Sequence, residues 1–143
     1  IFGFMKIGII HGPNLNLLGQ REKEFYGSSS FEDYLQSLKE KYKTVEFLFF
    51  QSNIEGELID KIQEFSTRVD GMILNAAAYT HTSVGIGDAV RAIQTPVVEV
   101  HISNVFSREE FRHKSFIAPF AKGVIVGFGF QGYDLAIQSF LLK

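Results

Sequence analysis

The sequence predicts an α/β protein built on one doubly wound parallel sheet, and three observations carry that prediction. Five short runs, Lys6–Ile10, Val45–Phe50, Gly71–Leu74, Val97–Val100 and Gly123–Val126, are mostly apolar on both faces, as strands buried between two helical layers read. Longer segments of helical period separate them. The first strand is followed by His11–Gly27, a stretch far longer than the roughly 2–6 residues of an ordinary βα connection, which marks it as a functional loop.

The elements follow in order. Met5-Lys6-Ile7-Gly8 reads as a natural start, so residues 1–4 are taken as an extension and one catalytic domain is expected over 5–143. Ser29-Ser30-Phe31-Glu32 offers a capping box ahead of Phe31, Tyr34, Leu35 and Leu38, which share one helical face. Leu58, Ile59, Ile62 and Phe65 form a second stripe. A third helix is expected from Ser83 to Ile93, stopped by Thr95-Pro96, and a fourth from Tyr133 to Leu142, with a short helical turn near Arg108–Arg112. Strand and helix alternate throughout, so right-handed crossovers give a five-stranded, flavodoxin-like sheet of order 2-1-3-4-5. Ligands of such sheets bind beyond the carboxyl ends of the strands, after Ile10, Leu74 and Val100 here.

Composition narrows the chemistry. With no Cys among 143 residues there is no disulfide framework, thiolate metal site or Cys nucleophile. Fourteen Lys+Arg against 16 Asp+Glu leave a net charge of −2, with no global basic field for nucleic acid or anionic membranes. No apolar run approaches the ~20 residues of a membrane span and the start lacks signal-peptide zones, so a soluble, cytoplasmic protein is expected.

Three strand exits hold the candidate residues. Glu99 and His101 alternate in Val97-Val98-Glu99-Val100-His101 and so share a face, where a buried carboxylate is well placed to hold one ring nitrogen and leave the other for proton transfer. Arg108 and Arg112, four apart, would lie on one side of a helical turn and clamp a carboxylate or phosphate, unless Glu109 and Glu110 engage them in surface ion pairs. Asn75, followed by Ala76-Ala77-Ala78, leaves room for a ligand near the backbone, but also reads as a cap with tight packing. Gly19 and Gly27 would serve as joints of a lid over these exits.

Other patterns lead nowhere. Gly127-Phe128-Gly129-Phe130-Gln131-Gly132 fits GxGxxG, but it follows the last strand and no acidic residue stands about 20 positions on, so its glycines are assigned to turning and packing. A phosphoacceptor site would want acids where His11 and Asn75 stand. His81, Asp88, Glu99 and His101 lack compact metal-ligand spacing.

Four strings, Gly12-Pro13-Asn14-Leu15-Asn16-Leu17-Leu18-Gly19 with Arg21 and Tyr26-Gly27, Asn75–Ser83, Glu99–Asn104 and Arg108–Arg112, in this order, make the chain resemble the type II 3-dehydroquinate dehydratases from Met5 to its end. That resemblance implies anti dehydration of 3-dehydroquinate to 3-dehydroshikimate through an enolate, in the shikimate pathway, without metal or organic cofactor. It implies that Tyr26 removes the C2 proton. Ionising a tyrosine at pH 7 demands about 4 kcal/mol, which Arg21 would help supply. Asn14 would stabilise the enolate oxygen through a water or donor, and His101, oriented by Glu99, would protonate the departing hydroxyl. Asn75, His81, the backbone of Ile102 and Ser103, and Arg112 match substrate contacts, with Arg108 nearby. Asp88 would reach a neighbouring subunit's site, implying trimers, commonly four of them in a dodecamer. Lys23 replaces the lid's usual proline and Phe25 its usual aliphatic residue. The alternative is a flavodoxin-like regulatory protein that binds a carboxylate without chemistry.

Overall fold

The computed structural model describes residues 4–19 and 30–142. Five strands, β1 (Met5–His11), β2 (Val45–Gln51), β3 (Gly71–Asn75), β4 (Val97–His101) and β5 (Gly123–Val126), form one parallel sheet of order β2-β1-β3-β4-β5. This is the expected flavodoxin-like order. Four of the strands run one residue past the apolar runs, ending on His11, Gln51, Asn75 and His101. Ladder hydrogen bonds are made by the backbone, so pairing continues through a polar side chain; His11 sits in register with Gln51 on one side and Asn75 on the other. The sheet thereby delivers a row of polar groups to its carboxyl edge.

Among the described residues four α-helices cover it: α1 (Phe31–Lys41), α2 (Glu55–Ser66), α3 (Val84–Ala92) and α4 (Gln131–Leu141). Ser30 caps α1 by accepting the Asp33 N–H at 3.2 Å, and Ser83 caps α3 by accepting that of Ile86 at 2.9 Å. Alternation along the strands sorts the core into two clusters. Ile7, Ile9, Ile73, Val98 and Val100 pack with Phe31, Leu35 and Leu38 of α1 and with Tyr133, Ala136 and Ile137 of α4. Ile10, Met72, Leu74 and Val97 pack with Leu58, Ile62 and Phe65 of α2 and with Ile86, Ala89 and Val90 of α3. Each fully buried Val, Leu, Ile, Phe or Met side chain among them stabilises the fold by about 1.5–3 kcal/mol.

Two further details differ from the sequence reading. Helix α4 starts at Gln131, two residues before Tyr133. The β4–β5 crossover has no helical turn joining Arg108 to Arg112: it carries 3-10 turns at Val105–Ser107, Glu110–Arg112 and Ala118–Phe120, with Arg108 in extended backbone between the first two. Among the described residues the β4–β5 crossover carries 3-10 turns and no α-helix, and Val124 of edge strand β5 is 44% exposed.

The glycines of the GxGxxG string turn and pack. Gly127 and Gly129 have φ of 93° and 60°, in the left-handed region, and their N–H groups bond the carbonyls of His101 and Ile102 at 3.1 and 2.9 Å. They hold the exit of β4 in place.

Candidate active site

Beyond the ends of β3 and β4 lies a cleft of about 50 Å³ lined by Asn75, His81, His101, Ile102, Ser103, Arg108 and Arg112, together with Leu15, Ala77, Ala78 and Val105. Seven of the residues singled out from the sequence therefore meet in one place. Glu99 stands behind His101. Asn14 precedes Leu15 in the chain and is itself exposed, with a left-handed φ of 69°. Asp88 is exposed on α3 and lines neither this cleft nor the adjoining one. Arg21 and Tyr26, with the rest of 20–29, lie outside the described residues.

The buried pair of β4 is direct. Glu99 Oε2 meets His101 Nε2 at 2.5 Å, which leaves Nδ1 as the ring nitrogen for proton transfer. The second carboxylate oxygen, Oε1, accepts the Ser115 hydroxyl at 2.8 Å. Ser115 Oγ in turn accepts the N–H groups of Ile117 and Ala118 at 3.1 and 2.9 Å, so its one proton is committed to Glu99. Both oxygens of a carboxylate that is 1% exposed are thus partnered, the condition for tolerating such burial. Ser115 was not singled out from the sequence: it lies 16 residues from Glu99 on an irregular crossover, and no spacing rule joins them.

His81 faces His101 with ring centroids 6.0 Å apart and planes 22° from parallel. Its Nδ1–H donates to the Lys114 carbonyl at 2.7 Å. Burial pushes its pKa below the ordinary histidine value, against the upward pull of that carbonyl, so the ring is neutral and its Nε2 is an acceptor.

Arg108, in extended backbone, and Arg112, in the second 3-10 turn of the β4–β5 crossover, both line the cleft without sharing a helix. Arg108 Nη1 donates to Ser103 Oγ at 3.3 Å, and Arg112 Nε donates to Glu109 Oε1 at 2.9 Å. The surface ion pairs to Glu109 are present, and both arginines also line the cleft. A second cleft of about 330 Å³ adjoins on the β5 side, sharing His81, His101 and Arg112 and bordered by Phe106 and Val124.

Asn75 also combines its two readings. Its Oδ1 accepts the Ala77 N–H at 3.1 Å, a cap, while the residue lines the cleft. The small residues after it serve a close approach: a Cβ on Gly12 would fall 2.3 Å from the Ala76 carbonyl oxygen, and the Gly12 N–H bonds the Asn75 carbonyl at 2.8 Å. The same loop is braced on its far side, where Asn53 Oδ1 accepts the Asn14 N–H at 2.9 Å and Gln51 Nε2 at 3.2 Å.

Comparison with known proteins agrees with this geometry. Residues 5–141 match the family model described as Dehydroquinase class II. The chain is 56% identical to a 3-dehydroquinate dehydratase of Campylobacter lari over 94% of its own length and 86% of the relative's, and 54% identical to one of Caldicellulosiruptor bescii over 94% of both. Its fold superposes on a type II dehydroquinase from Butyrivibrio crossotus with a TM-score of 0.92 at 47% identity, covering 96% of this chain and 98% of the other. A type II dehydroquinase from Propionibacterium acnes gives the same TM-score at 32% identity, with both chains fully covered.

Proposed function

The chain belongs to the class II dehydroquinase family and catalyses the dehydration of 3-dehydroquinate, a step of the shikimate pathway, and on that premise we propose how its residues divide the work. The elimination is anti and passes through an enolate. Tyr26 takes the C2 proton, with Arg21 stabilising the phenolate. Asn14 orients the donor that meets the enolate oxygen, and His101 Nδ1 delivers a proton to the departing C1 hydroxyl, making it a better leaving group. The observation that carries this reading is the Glu99–His101 pair: a carboxylate on Nε2 orients the ring and leaves Nδ1 for proton transfer in a residue that lines the cleft. Arg108 and Arg112 meet the substrate's carboxylate, while Asn75, His81 and the Ile102-Ser103 segment meet its remaining oxygens. The alternative of a carboxylate-binding protein without chemistry draws no support from the comparisons.

The same reading places Asp88 in the site of a neighbouring copy, within trimers that assemble into a dodecamer. In support, Asp88 is exposed and lines neither of the two clefts described above, and Phe106, Phe111, Phe120 and Val124 are 63%, 63%, 42% and 44% exposed on the β4–β5 side. Light scattering reads the assembly directly.

The test of the chemistry is spectroscopic. Purified protein given 3-dehydroquinate is expected to produce rising ultraviolet absorbance as the conjugated enone forms, and Tyr26→Phe is expected to abolish that rise with the fold intact. Near-native turnover by Tyr26→Phe would remove the assigned base. Borohydride added with substrate is expected to leave the enzyme active, since no imine forms, and substrate-dependent inactivation would overturn the mechanism.

A further inference from the structure

Beneath the cleft lies a buried polar chain that the reaction as described does not use. His11 and Asn75 end neighbouring strands in register and face the same side of the sheet, and Tyr133, fully buried in the first turn of α4, lies over both. The Tyr133 hydroxyl stands 2.7 Å from His11 Nε2 and accepts a hydrogen bond from Asn75 Nδ2 at 3.1 Å. The His11 ring is packed between Phe31 and Phe49, with centroids at 4.2 and 5.2 Å, and this apolar burial keeps it neutral. In the tautomer protonated at Nδ1, the neutral Nε2 accepts the hydroxyl proton, and donation then runs from Asn75 to Tyr133 to His11.

We propose that Tyr133, with His11 behind it, is a positioning residue that fixes the side-chain amide of Asn75 and so sets which of its groups the substrate meets. A carboxamide turned by 180° exchanges its oxygen and nitrogen. Here the oxygen is committed to the Ala77 N–H and one Nδ2 hydrogen to Tyr133, which leaves the second hydrogen for an acceptor oxygen of the substrate in the cleft that Asn75 lines. The inference rests on the reading of Asn75 as a substrate contact.

A double-mutant cycle in the full-length enzyme tests it, with KM and kcat for 3-dehydroquinate as readouts. Asn75→Ala is expected to raise KM about thirtyfold and Tyr133→Phe about tenfold, roughly the worth of one well-placed hydrogen bond in each case, with smaller changes in kcat. Because Tyr133 acts through Asn75, the double variant is expected to match Asn75→Ala alone. Independent effects multiplying to about three-hundredfold would overturn the proposal, as would an unchanged KM in Tyr133→Phe. If Asn75→Ala leaves KM unchanged, the assignment of Asn75 as a substrate contact falls, and this proposal with it. His11 variants read the same point without altering Tyr133: Leu is expected to raise KM, whereas Gln, whose amide oxygen can accept the hydroxyl proton, is expected to keep it within about threefold. Equal KM values in the two His11 variants would refute the chain of donation.

Discussion

Lowering the pH from 7.5 to 5 should cost this protein about 2 kcal/mol of stability through His11 alone. Burial pushes the folded-state pKa of that ring from its ordinary 6.5 down to about 3. Between those values the unfolded chain binds a proton that the folded chain refuses, so stability is fully present above pH 6.5 and is lost as pH falls toward 3. At pH 5 the unfolded ring is almost wholly charged and the folded ring neutral; the one and a half pH intervals below 6.5, at about 1.4 kcal/mol each, give roughly 2 kcal/mol. The assay is urea unfolding followed by circular dichroism at fixed protomer concentration, at pH 7.5 and pH 5, for the native chain and His11→Gln. The variant has no titrating ring at this position, so its loss between the two pH values should be smaller by that amount. Equal losses in the two proteins would refute the reasoning.

Ser115→Ala leaves Glu99 Oε1 and two backbone N–H groups without their partner and should cost about 2 kcal/mol in unfolding, with kcat down roughly tenfold because the carboxylate that orients His101 is loosened. An unchanged kcat would show that His101 alone holds the carboxylate. His101→Ala should lower kcat by about 10²–10⁴-fold with little change in KM, measured by enone formation. Gly12→Ala should destabilise by about 3 kcal/mol, because its Cβ would strike the Ala76 carbonyl, whereas Gly56→Ala, on an open face of α2, should stabilise by about 0.5–1 kcal/mol; the pair is compared by thermal unfolding.

Periodicity was enough to place the sheet. Central strands buried on both faces must be apolar throughout, so β1, β3 and β4 announce themselves, while a capped stripe places α1, an apolar stripe α2 and the Thr95-Pro96 stop the end of α3. Alternation within a strand likewise put Glu99 and His101 together, since residues two apart in an extended chain share a face whatever surrounds them. Apolar character stops before backbone pairing does, so the apolar runs left out the terminal strand residues His11, Gln51 and Asn75. Both arginines of the pair line the cleft, but they do not share one helical turn. Arg108 and Arg112 converge because an irregular crossover folds back toward β4, not because they are one helical turn apart.

The sequence by itself made legible the strand order, the exits at which the cleft opens and most of the side chains that line it, because repeated patterns of two and 3.6 residues mark the elements and their alternation, with right-handed crossovers, orders the strands. Tertiary structure alone decided what holds those side chains still. Ser115 on Glu99, Tyr133 and His11 beneath Asn75, and Asn53 against the Asn14 loop join residues 16 to 122 positions apart. Such partners come together only when the strands are stacked and the helices laid over them, and a buried polar group must find one wherever the packing supplies it.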